Sequence, residues 1–167
     1  MDDFSNICLS CGLCCDGTLI GFVELGKKEV PALREIMDIE EGNNINIFLQ
    51  PCDKYCNGCT IYADRPGNCI KFKCGLLNRV EQKDVTFESA VNTIELVKEK
   101  KAAIEKQMAS LNIDLKSASF YLRMAELNKI LHTPKFEENL TAEHLNTITN
   151  IRQLKELITK KFNLPFS

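Results

Sequence analysis

Hydrophobic and polar positions follow two rhythms along this chain, and the change falls near residue 86. Before that point the apolar runs are short and broken. Thr18-Leu19-Ile20-Gly21-Phe22-Val23-Glu24-Leu25 is rich in β-forming residues and stops at Gly26, which predicts a strand over 18–25. Residues 28–38 predict a short helix that tolerates Pro31 in its first turn. Ile45-Asn46-Ile47-Phe48-Leu49 roughly alternates and predicts a second strand. Asp64-Arg65-Pro66 reads as the entry to a helix that carries Cys69, Phe72, Leu76 and Leu77 toward Arg79.

From Thr86 the pattern turns helical. Thr86 suits a cap, and Phe87, Ala90, Val91, Ile94, Val97, Ile104, Met108 and Leu111 recur mostly at intervals of three and four, one apolar stripe on a long helix. The opposite face carries Glu95, Lys98, Glu99, Lys100, Lys101, Glu105 and Lys106, a solvated surface. The stripe needs a partner, either later helices or a second subunit. Two more helices are predicted, Ser117 to Leu131 and Thr141 to about Phe162, with a break at His132-Thr133-Pro134. The expected class is α+β: a small cysteine-rich unit over 1–80, then a helical region over 81–167 packed on it or on a partner, the whole forming one domain or two.

Composition narrows the function. At 167 residues, 44% hydrophobic and 26% charged, the chain is long enough and apolar enough to bury a core. A net charge of −2 and a pI near 5.8 argue against broad attraction to nucleic acid or to an anionic membrane. No apolar stretch approaches the roughly 20 residues that span a bilayer, and the start, Met1-Asp2-Asp3-Phe4, is acidic where a secretory signal is basic. A cytoplasmic location is expected, where thiols stay reduced. No Gly-rich phosphate loop is present, and His132 and His144 read as surface residues far from the cysteines. Asn139-Leu140-Thr141 matches a glycosylation acceptor but marks, in this reading, the cap at Thr141.

The nine cysteines all lie between positions 8 and 74. In a reducing compartment such a group reads as metal ligands or redox thiols before disulfides, and an odd number cannot pair completely. Cys8-x-x-Cys11-x-x-Cys14-Cys15 puts four thiols within eight residues, with Gly12 free to turn the chain about an ion. Cys52-x-x-x-Cys56-x-x-Cys59, Cys69 and Cys74 follow, giving ligands enough for two tetrahedral sites. Buried apolar cysteines are the bland alternative, but adjacent Cys14 and Cys15 cannot both face one core from a strand. The spacing Cys8-x-x-Cys11-x-x-Cys14 matches the opening of a bacterial ferredoxin loop, where a remote cysteine completes a [4Fe-4S] site. Zn2+ would accept the same thiolates. Cys69 and Cys74 stand about 140° apart on a regular helix and would share an ion only if it broke between them. Arg65 is the expected donor to a thiolate sulfur, in competition with pairing to Asp64, whereas Lys71 and Lys73 read as solvated.

These residues resemble the YkgJ-like cysteine-cluster proteins, a family described as zinc- or iron-chelating. The resemblance rests on Cys8-Leu9-Ser10-Cys11-Gly12-Leu13-Cys14-Cys15-Asp16-Gly17-Thr18, Pro51-Cys52, Cys59-Thr60-Ile61-Tyr62, Arg65-Pro66, Cys69, Phe72 and Cys74, and covers about the first half of the chain. It implies eight ligands: Cys8, Cys11, Cys14, Cys15, Cys52, Cys59, Cys69 and Cys74. Cys56 departs from the pattern and is expected to be a bystander. The expected function is metal binding, with an iron-sulfur cluster or zinc, and a protein partner on the C-terminal helices. The alternatives are a structural zinc module and, since similar clusters occur in flagellin lysine methylases, a component of a protein-modifying system.

Overall fold

A computed structural model describes residues 3–42, 44–111, 113, 115–131, 133 and 140–166. The chain opens with helix α1 (Asp3–Cys11). Strands β1 (Phe22–Leu25), β2 (Glu40–Gly42) and β3 (Ile45–Leu49) form an antiparallel sheet of order β1-β3-β2, with Val23 opposite Phe48 and Glu40 opposite Ile47. A one-turn helix α2 (Val30–Leu33) links β1 to β2. After the sheet come a 3₁₀ turn at Tyr62–Asp64, then α3 (Gly67–Lys71) and α4 (Gly75–Glu81). The second half consists of α5 (Phe87–Ser110), α6 (Phe120–Leu131) and α7 (Ala142–Phe162). The fold is α+β, with a small sheet in the first half and a mainly helical second half.

Several boundaries differ from the sequence reading. The strand expected over 18–25 begins only at Phe22, because Thr18 and Leu19 donate their N–H groups to the Leu13 carbonyl, at 3.0 and 2.9 Å, and belong to a turn. The helix expected over 28–38 shrinks to Val30–Leu33 with Pro31 in its first turn, and β2 was not anticipated. The helix expected toward Arg79 is two helices. It breaks at Phe72 and Cys74, both extended, with ψ of 124° and 161°. The helix expected from Ser117 starts at Phe120, since Glu126 draws the backbone N–H groups of Lys116 and Ser117 away at 2.8 and 3.1 Å. Thr86 caps α5 by accepting from Ser89 N–H at 3.2 Å. Thr141 caps α7 in a reciprocal box with His144, which assigns that histidine a local role. His132, Pro134 and Asn139 lie outside the described residues.

Two cores follow from this arrangement. The larger one joins Ile7, Leu13, Leu19, Leu76 and Val80 to Ala90, Ile94, Val97, Ile104 and Met108 of α5, and to the inner faces of α6 and α7. The α5 stripe is thus buried within the chain at Ala90, Ile94, Val97, Ile104 and Met108, while Phe87 at its start is exposed. The smaller core sits under the sheet and holds Val23, Leu25, Val30, Leu33, Met37 and Phe48. Each fully buried Leu, Ile or Phe contributes roughly 1.5–3 kcal/mol, so the helical core is the principal anchor of the fold. The segment after α1 is fastened to it: Asp16 pairs with Lys101 of α5 at 3.0 Å, and Gly17 O accepts from Tyr121 N–H at 2.8 Å and from Ser119 Oγ at 3.1 Å. No helix among the described residues is long and apolar enough to cross a membrane.

Candidate metal centre

The cysteines come from separate elements that meet where the two cores approach each other. Cys8 and Cys11 lie three residues apart on the last turn of α1 and therefore share a face. The gap read as a tight turn is a helical turn; three-residue spacing serves both. Gly12, at φ +67°, then adopts the left-handed conformation that ends helices. The chain turns back through Cys14 and Cys15, with Asp16 N–H donating to Gly12 O at 2.8 Å. The Tyr55 ring covers Gly12 so closely that any Cβ there would collide with it.

Cys52 follows the sheet, and its N–H donates to Cys15 O at 2.8 Å, which ties the first cysteine segment to the second. The loop from 52 to 60 closes on itself through a Tyr55–Cys59 bridge and a Thr60 N–H to Lys54 O bond of 2.9 Å. Cys69 is carried by α3, whose start is held by Glu29: its Oε1 accepts from Gly67 N–H at 2.6 Å while Oε2 accepts from Gly26 N–H at 3.0 Å. Asn68 Nδ2 adds a 2.7 Å bond to Glu24 O of β1. Cys74 stands at the start of α4, which is seated against the end of α7: a Cβ on Gly75 would fall 2.6 Å from Asn163 Cβ and 2.9 Å from Phe162 O.

Cys8, Cys11, Cys14, Cys15, Cys52, Cys59, Cys69 and Cys74 all line one cavity of about 490 Å³, and Arg65 lines it with them. Cys56 is exposed and stays outside this lining. All nine cysteines are free thiols. Among the described residues no three Cys, His, Asp or Glu side chains stand close enough to hold a single metal ion.

Burial dominates the acidity of these thiols. It pushes Cys11 and Cys15 up to about 12 and Cys69 to about 11, and holds Cys14 well above the ordinary range. Cys8, Cys52 and Cys74 are raised for the same reason. Neighbouring sulfurs add to the effect, Cys74 on Cys8 and Cys52 on Cys15. Backbone N–H groups oppose it, that of Leu13 at Cys11, that of Lys54 at Cys52 and those of Leu77 and Leu76 at Cys74, and Arg65 opposes it at both Cys8 and Cys69.

Arg65 lies over the Tyr62 ring, its guanidinium carbon 3.7 Å from the ring centre, and its buried Nε has no hydrogen-bond partner. No ion pair joins it to Asp64 among the described residues. Lys73 pairs with Glu81 at 2.7 Å. One lining residue carries no sequence signature, Gln50, buried with its Oε1 unpartnered; Tyr62, part of the resemblance, lies beneath Arg65. No family model matches this chain, and neither does any curated protein or solved structure.

Proposed function

We propose that this chain is a thiolate metalloprotein that holds iron-sulfur chemistry in the cavity between its two cores. The observation that carries the reading is the shared lining: eight of nine cysteines face one cavity, and the ninth, Cys56, does not. Burial favours the neutral form of Cys8, Cys11, Cys14, Cys15, Cys52, Cys69 and Cys74, which become thiolates more readily if positive charge arrives with them. Metal ions supply that charge and release the protons. Arg65, with an unused buried N–H on the cavity wall, fits a donor to a thiolate sulfur.

Iron-sulfur is preferred over zinc, which four thiolates would also suit, because Cys8-x-x-Cys11-x-x-Cys14 has the spacing that opens a bacterial ferredoxin loop, in which a remote cysteine completes the site. When bound, such a cluster supplies one-electron transfer. The chain's own part is to hold the sulfurs, limit water and place Arg65 and Tyr62 beside them. A reducing compartment such as the cytoplasm would keep the thiols available.

The resemblance to YkgJ-like cysteine-cluster proteins selects the same eight residues from the sequence. The test is purification of the full chain without oxygen, with its visible spectrum and its iron, zinc and acid-labile sulfide per chain. Broad absorbance near about 400 nm with matching iron and sulfide is the expected result. A colourless protein carrying zinc would replace it with a structural zinc module, and a metal-free protein under all conditions would overturn metal binding.

A further inference from the structure

We propose that the eight thiols form two separate centres, one built from Cys8, Cys11, Cys14 and Cys74 and the other from Cys15, Cys52, Cys59 and Cys69, set back to back across the Cys14–Cys15 peptide. This inference rests on the metal-binding reading above and assigns each ligand within it.

Packing supplies the first argument. Cys11, Cys14 and Cys74 lie against the helical core, whereas Cys52 and Cys69 lie against the core beneath the sheet. Cys15 packs against neither core, so its side is set by its backbone connections. Backbone connections supply the second. Cys8 and Cys11 share one face of α1, and Cys14 follows in the turn that closes that helix. Cys15 belongs on the other side, because its carbonyl accepts the Cys52 N–H at 2.8 Å and so lies at the root of the loop that brings Cys59.

The break between α3 and α4 now has a purpose: it sends Cys69 and Cys74, five residues apart, to different centres. Arg65 lines the same cavity as both sets.

The test compares the full-length chain with Cys74→Ala, Cys69→Ala and the double variant, all purified without oxygen and analysed for iron, sulfide and zinc. The parent chain is expected to hold about eight irons and eight sulfides, two cubes' worth, each single variant about half, and the double variant none. A parent chain that saturates at four irons overturns the two-centre inference but leaves metal binding standing. A metal-free parent overturns both. Complete metal loss from a single variant whose far-UV circular dichroism matches the parent points to one indivisible site and overturns the partition. Should a variant fail to fold, electron paramagnetic resonance of the reduced parent decides: two interacting spins per chain support the inference, and a single isolated spin overturns it.

Discussion

Gly12 shows how much one backbone position controls here. It ends α1 at φ +67° and lies under the Tyr55 ring, so the segment carrying Cys14 and Cys15 and the loop carrying Cys52 and Cys59 are fitted to each other through a residue without a side chain. Gly12→Ala meets both problems at once, a left-handed backbone that costs an L-residue about 1–2 kcal/mol and a collision with Tyr55. The expected outcome is a fall in thermal midpoint together with a drop in metal content of at least half; unchanged metal loading would show that the two segments are positioned independently. The cysteines were legible because their spacing is a chemical statement. Gly12 was legible as a turn, but its contact with Tyr55 was not, since residues 43 apart in sequence reveal nothing of their proximity before the fold is known. Gln50 escaped for the same reason, and so did the stacking of Arg65 on Tyr62.

Among the elements, α5 and α7 were read nearly to the residue because each combines a cap with a sustained three- and four-residue period. Short elements were harder. A four-residue helix or a three-residue strand has too few positions to establish a period, and α3 and α4 merged because apolar positions continue across the break at Phe72–Cys74. α1 was hidden by coincidence: the spacing that suits chelation is also one helical turn. The junction of α4 with α7 offers a prediction at this scale. Gly75→Ala places a Cβ against Phe162 and Asn163, and overpacking of that kind costs about 1–3 kcal/mol. Because α3 is held separately by Glu29, the displacement should reach Cys74 and spare Cys69. Metal content is expected to fall toward half, and loss of all metal from a folded variant would contradict the separate seating of the two helices.

For the whole molecule, the acidity of the thiols becomes a dependence of stability on pH. In the metal-free chain Cys11 and Cys15 are raised to about 12 and Cys69 to about 11, whereas an unfolded thiol ionises near about 8.5. Raised values mean that the folded state holds its protons more tightly. Stability is therefore fully present below about pH 8.5 and is lost as pH climbs from there toward 11 and 12. If the proposed metal is bound, the loaded chain would carry thiolates, and its stability should hold across that interval and decline instead on acidification, when protons compete for sulfur. Thermal melts by circular dichroism at pH 7, 9 and 10, with and without a chelator, measure the difference; parallel slopes for the two forms would refute it.

The seat of Gly75 against Phe162 and Asn163 also sets an order of events during synthesis. All nine thiols leave the ribosome before α7 has been translated. Cys52, Cys59 and Cys69 are carried by the sheet, the loop that follows it and α3, but the seat of α4, which starts after Cys74, waits for the end of a helix more than eighty residues downstream. A nascent chain therefore passes through a stage in which Cys74 has been translated while its helix has nothing to rest on, and completion of α7 ends that stage.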